Sequence, residues 1–223
     1  MTVKERLAKI HDELKTFHAS LVAVSKTHPS EAIEEAYHAG QRIFGENKVQ
    51  ELLPKQEALP KDIQWHLIGH LQTNKVKQIA HFISLIHSVD SLKLLKEINK
   101  EAQKHQRIID CLLQIYIAKE ETKFGLNFEE AEALLTSEAF KQLKNIRITG
   151  LMGMATLTDN QQQIRNEFKS LKKFYDKLQI ANCKLQILSM GMSSDYKIAL
   201  EEGSNMVRIG TAVFGVRQYP AVQ

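Results

Sequence analysis

Apolar residues recur along this chain in two alternating rhythms. Val3, Leu7, Ile10, Leu14 and Phe17 stand three or four positions apart among charged residues, which describes one buried stripe on an amphipathic helix; residues 1–18 are expected to form it. Short runs rich in Val, Ile, Leu and Phe follow: LVAVSK (21–26), RIFGEN (42–47), QWHLIG (64–69), SLIHSV (84–89), IDCLLQIYI (109–117), RITGLMGM (147–154), KLQILSMG (184–191) and MVRIGTAVFG (206–215). Helical patterns separate them, among them SEAIEEAYHAG, VQELLPKQEAL, SLKLLKEINKEAQKH, FEEAEALLTSEAFKQL and IRNEFKSLKKFYDKLQ. Ser30 and Ser91 stand where helix N-caps are expected, and Gly40 where a left-handed C-cap is.

The runs are continuously apolar, as in parallel strands covered on both faces. Eight of them alternating with helices predict an α/β fold, a single (β/α)8 TIM-type barrel with an extra N-terminal helix, spanning residues 1–223 as one domain. An open doubly wound sheet is the competing topology, but no GxGxxG follows the first strand.

Composition narrows the function classes. Thirty basic residues against 26 acidic ones give a net charge of +4, with Lys and Glu mixed along the same segments, as on solvated helix faces. That speaks against nucleic acid as a partner and leaves a mild field for anionic small molecules. Cys111 and Cys183 lie far apart in the chain, and free thiols are expected. Charges interrupt every apolar stretch that a leader peptide or membrane span would need, so a cytoplasmic location with no membrane is expected.

Barrels build their sites at the C-terminal ends of the strands. Lys26, Glu46, Asn47, His66, Ser88, Asp90, Ser189, Ser193, Arg208 and Thr211 fall there. Ser88 and Asp90 read as turn and cap residues, and the scattered His residues lack metal-ligand spacing. His66 is evenly balanced between a core histidine and a ring facing a ligand. Lys26 closes an apolar strand, where an ammonium is costly unless paired or deprotonated. A buried lysine that loses its proton becomes an amine for an aldehyde. Arg208, after Met206 and Val207, needs an acceptor, and the glycines and hydroxyls of SMGMSSD and RIGT suit the phosphate corner usual after strands 7 and 8. Barrel closure puts that corner beside strand 1. An aldehyde with a phosphate arm fits; pyridoxal 5′-phosphate is one such molecule and a sugar phosphate another.

AVSKTHP, FGENKVQE, WHLIGHLQTNK, IHSVDS, TKFGL, ITGLMGMA, LSMGMSSD and MVRIGTAVFG occur in the order seen in the pyridoxal phosphate homeostasis proteins, which the chain resembles from about residue 20 to 217. Those proteins look like the barrel domain of alanine racemase standing alone. One departure is GLMGMATLTDN, which lacks the proline that often follows the MA pair.

The resemblance implies that Lys26 forms the internal aldimine with pyridoxal 5′-phosphate. It places Asn47 near the phenolic oxygen, His66 along the ring and Arg208 at the pyridine nitrogen. It assigns the phosphate to Ser189 or Ser193 with Gly210 and Thr211. It further implies a cytosolic, often monomeric protein that carries or buffers the cofactor for recipient apo-enzymes.

Two considerations favour carrier over catalyst. An arginine opposes the pyridine protonation that a strong electron sink needs. A racemase also needs a second acid/base, which alanine racemase takes from an additional domain, and the residues beyond strand 8 leave no room for one. Tyr37, Tyr116, Tyr175 and Tyr196 stand in helical or mid-strand contexts and read as core or surface. A racemase-type enzyme is the first alternative function, and a Schiff-base aldolase acting on a sugar phosphate the second.

Overall fold

The computed structural model describes residues 1–119, 124–180 and 184–215. Cys183 and part of the TKFGL motif lie outside them. In chain order the elements are α1 (Val3–Lys15), β1 (Ser20–Val24), α2 (Ser30–His38), β2 (Ile43–Glu46), α3 (Val49–Ala58), β3 (Gln64–Leu67), α4 (Val76–Ile79) and β4 (Leu85–Val89). There follow α5 (Leu92–Lys104), β5 (Ile109–Ile115), α6 (Phe128–Thr136), α7 (Glu138–Lys141), β6 (Ile146–Gly153), α8 (Gln161–Ile180), β7 (Ile187–Ser189), α9 (Tyr196–Glu201), β8 (Met206–Ile209) and α10 (Thr211–Phe214).

The eight strands pair in parallel, each with its sequence neighbour, and β1 closes the barrel on β8. In that seam Val22 lies opposite Arg208. Side chains alternate across each strand, and the burial pattern separates accordingly. Leu21, Ala23, Phe44, Trp65, Leu67, Ile86, Cys111, Leu151, Val207 and Ile209 join the large cluster between sheet and helices. Val22, Leu85, Leu112, Met152 and Met206 form a second cluster inside the barrel, with Ile43, Ile68, Met154 and Ile187 packed against it. Both faces are therefore apolar, which is why the strands read as unbroken runs.

Several boundaries differ from the sequence expectation. The run 206–215 is not one strand: β8 ends at Ile209 and Thr211–Phe214 is a turn of helix. A short apolar run carries no period long enough to separate the two. The stretch 184–191 supplies a strand of only three residues. Ser30 is the first helical residue, with Pro29 at the cap position, whereas Ser91 caps α5 by accepting from the Leu94 N–H at 3.3 Å. Ser88 is a buried strand residue rather than a turn residue. Gly40 has φ +100°, as a left-handed cap requires.

The N-terminal helix begins at a capping box, Thr2 Oγ1 accepting from Glu5 N and Glu5 Oε2 from Thr2 N. Val3, Leu7, Ile10 and Leu14 are its buried stripe, but the helix ends before Phe17, which is 43% exposed. It packs on α2 and α10. No helix among the described residues is long and apolar enough to cross a membrane.

Candidate functional site

Period-two alternation carries the barrel's interior face outward to its C-terminal rim. Lys26 continues the Val22, Val24 series one step past β1, and Asn47 does the same for Ile43 and Gly45 on β2. Ile68, Met154 and Gly210 take the equivalent positions after β3, β6 and β8. A cavity of about 290 Å³ opens there, lined by Val24, Lys26, Asn47, Ile68, Met154, Met192, Ser193, Ser194, Arg208, Gly210 and Thr211. Of the residues singled out in the sequence, Lys26, Asn47, Ser193, Arg208, Gly210 and Thr211 meet in this lining. His66 and Ser189 do not; they are buried beneath it.

Backbone close approaches set two of these loops. Gly191, at φ +93°, turns the chain out of β7 so that a Cβ there would lie 2.6 Å from the Ala199 Cβ. Its carbonyl accepts from Arg208 N at 3.0 Å, and Ser193 Oγ accepts from Gly210 N at 3.3 Å, tying the loops after β7 and β8 together. A Cβ at Gly69 would meet the Asn47 carbonyl at 2.4 Å, so only glycine lets the segment after β3 pass so near the cavity's asparagine.

Arg208 is the floor. Its Nη1 donates to Ser189 Oγ at 2.6 Å and Ser189 O at 2.9 Å, and its Nη2 to Gly153 O at 3.0 Å. These acceptors are neutral oxygens. Burial lowers the guanidinium to about 10 while nearby Asp195 opposes the shift, so Arg208 remains a cation at neutral pH. From Ser189 a buried chain continues through His87 Nδ1 at 3.2 Å, and from His87 Nε2 to His66 Nδ1 at 3.0 Å. The arginine can only donate, so Ser189 Oγ accepts from it, and the same hydroxyl meets His87 Nδ1. His87 was missed in the sequence because a lone histidine in an apolar strand has no distinguishing spacing.

Burial holds the His66 imidazole down at about 3, and burial, with the His66 and Arg208 neighbours, depresses His87 well below its ordinary value. Between the ordinary value near 6.5 and the folded one, the unfolded chain binds the extra proton. Stability is therefore complete above about pH 6.5 and falls as pH is lowered, by up to about 1.4 kcal/mol per pH unit for each ring. Urea titrations at pH 7.5, 6 and 5 should show this slope, and His87→Leu should reduce it even though the variant is less stable throughout. An identical slope in both proteins would remove the histidines as its cause.

Behind Lys26 stands a buried ion pair that the sequence pattern did not disclose. Lys55 Nζ on α3 lies 2.7 Å from Glu46 Oε1 and donates to Ser25 O at 2.9 Å, while Ser25 Oγ donates to Glu46 Oε1 at 2.6 Å. Glu46 is fully buried and its Oε2 has no hydrogen-bond partner. Burial lifts its carboxyl above the ordinary range, outweighing Lys55. Glu46 thus serves the wall of the site, not its lining.

A larger cavity of about 580 Å³ lies alongside, sharing Met154, Met192 and Ser194 and continuing over Thr156, Asp159, Ile164 and Asp195. The described residues of its lining hold carboxylates, hydroxyls and apolar groups but no amine or guanidinium. The smaller cavity, with Lys26 and Arg208, has the chemistry.

Comparisons with known proteins cover nearly the whole chain. The family model for the alanine racemase N-terminal domain matches residues 2–218. A pyridoxal phosphate homeostasis protein of Aquifex aeolicus is 44% identical over 203 residues, 90% of this chain and 88% of that protein. The solved structure of PipY from Synechococcus elongatus with PLP bound is 38% identical with a TM-score of 0.86, covering 96% of this chain and 100% of that one. An alanine racemase of Clostridium difficile, 16% identical with a TM-score of 0.78 over 97% of this chain and 58% of its own, shares the fold.

Proposed function

The chain belongs to the family of the alanine racemase N-terminal domain and, within it, to the pyridoxal phosphate homeostasis proteins, and on that premise we propose that it holds pyridoxal 5′-phosphate on Lys26 as an intracellular carrier or buffer of the cofactor. The observation that carries this is one cavity lined by an amine, a cationic guanidinium and a corner of Ser193, Gly210 and Thr211. When bound, the cofactor supplies an aldehyde that a primary amine takes up reversibly.

Each group has a definite part. Lys26 is the only amine among the described residues of the lining, and Val24, Ile68, Met154 and Met192 give it an apolar surround. Ser193 and Ser194, both in the cavity lining, would take the phosphate end with Gly210 and Thr211. Thr211 opens α10, where the first N–H groups have no intrahelical carbonyl to serve. Arg208, held by three neutral acceptors, presents a fixed positive charge to the ring nitrogen and disfavours its protonation. Asn47 lies on the Lys26 side. His66 and Ser189 act from below, by fixing Arg208.

The lining also explains why we read a carrier rather than a catalyst. Among its described residues there is no carboxylate, imidazole or phenol to exchange a proton from a second side. Tyr37, Tyr175 and Tyr196 bond elsewhere, to Asp62, the Leu185 carbonyl and Glu13. Water or a lysine of a recipient apo-enzyme would free the Lys26 amine again.

Borohydride reduction of the cofactor-loaded protein followed by peptide mass spectrometry should place a pyridoxyl group on Lys26. Racemization and transamination of amino acids should not exceed a cofactor-only control. Robust turnover abolished by Lys26→Ala would establish an enzyme instead, and a colourless protein trapping a sugar phosphate on Lys26 would establish the aldolase reading.

A further inference from the structure

One helix grips the backbone on both sides of Lys26. Ser25, before it, gives its carbonyl to Lys55 at 2.9 Å, and Thr27, after it, donates its N–H to Glu51 Oε2 at 2.8 Å. Glu51 and Lys55 are one turn apart on α3 and so project from the same face. Between them the chain reverses sharply. His28 N donates back to Ser25 O at 3.1 Å, and the His28 ring packs on Phe214 of α10 with centroids 4.8 Å apart.

Thr27 carries the unusual feature. Its φ is +65°, in the left-handed region that glycine enters freely and a β-branched residue enters only under constraint. The other described non-glycine residues with positive φ, His18 and Gln106, simply follow the ends of α1 and α5. At Thr27 the constraint adjoins the site's amine. A charged acceptor on the Thr27 N–H is a strong local tie, and Glu51 has no place in the cavity lining.

We propose that Glu51 is a positioning residue for Lys26: its carboxylate holds the Thr27 N–H, keeps Thr27 left-handed, and so aims the Lys26 side chain into the cavity. This rests on the reading of Lys26 as the amine that takes the cofactor. Glycine at 27 adopts the same conformation without help, so Thr27→Gly should make Glu51 dispensable.

The full-length chain can be tested by two readouts. The first is the rate of reductive methylation at Lys26 with formaldehyde and cyanoborohydride, followed by peptide mass spectrometry. The second is uptake of pyridoxal 5′-phosphate followed by absorbance. Glu51→Ala should shift the methylation rate by at least about threefold and weaken cofactor uptake about tenfold. Glu51→Gln, which keeps an acceptor oxygen, and the double variant Glu51→Ala/Thr27→Gly should both stay within about twofold of wild type. Should Glu51→Ala not fold, Glu51→Ser, too short to reach Thr27, replaces it in both comparisons.

Wild-type behaviour of Glu51→Ala overturns the proposal. So does a loss that Thr27→Gly fails to restore, or a Glu51→Gln variant as impaired as Glu51→Ala. A wild-type protein that takes up no cofactor while Lys26 methylation follows the expected order would fail the cofactor reading and leave the positioning role standing.

Discussion

Lys26→Ala is expected to leave the purified protein colourless after incubation with pyridoxal 5′-phosphate, whereas the unaltered chain turns yellow. The effect should be complete because no second amine stands among the described residues of the cavity lining. Binding itself should weaken by more than about tenfold, above ~1.4 kcal/mol, without vanishing, since Arg208 and the Ser193, Gly210 and Thr211 corner remain. Absorbance reads the first effect and equilibrium dialysis the second. Lys26→Ala protein that keeps the visible band would move the covalent link to another lysine. The fold should tolerate the change: Lys26 is half-buried at the rim, and truncating it removes no member of the inner or outer cluster.

The second large effect is on stability and lies behind the cavity. Lys55→Ala should destabilise the protein by roughly 3–5 kcal/mol, because it strands a buried carboxylate. Glu46 would keep only Ser25 as a partner, with Oε2 already unserved, and the Ser25 carbonyl would lose the charged one of its two donors, keeping His28 N. The double variant Glu46→Gln/Lys55→Met removes the charge together with its partner and should recover most of the loss. Urea denaturation at constant m-value measures both. A loss below about 1 kcal/mol in Lys55→Ala, or simple additivity with Glu46→Gln, would mean that the pair is effectively solvated. Cofactor uptake by Lys55→Ala should fall as well, since Ser25 immediately precedes Lys26.

These effects separate what was legible from what was not. Unbroken apolar runs between helical patterns described a barrel because both faces of each strand are covered, by helices outside and by Val22, Leu85, Leu112, Met152 and Met206 within. Lys26 and Arg208 were conspicuous because each is a cation in such a run. The boundary at Ile209 was not legible: Thr211–Phe214 is as apolar as a strand, yet it forms a helical turn that packs against α1. His87 and Lys55 were equally hidden. One stands in a strand and the other in an amphipathic helix, and their meaning comes from partners 21 and 9 residues away. The two candidate serines differ by four positions, yet Ser189 lies under Arg208 and Ser193 lines the cavity, since β7 ends between them.

By itself, the sequence determined the alternation of strands and helices, and with it the strand ends that carry Lys26, Asn47, His66, Ser189, Ser193, Arg208, Gly210 and Thr211. Local periodicity and the cost of burying a lone cation suffice for that. Only the tertiary structure decided which groups face the cavity and which hold those that do. Closing β8 onto β1 sets Arg208 against Val22 across the seam, and α3 folds back so that Glu51 and Lys55 grip the residues flanking Lys26. Such roles depend on desolvated hydrogen bonds between segments remote in the chain, and no local pattern of residues encodes them.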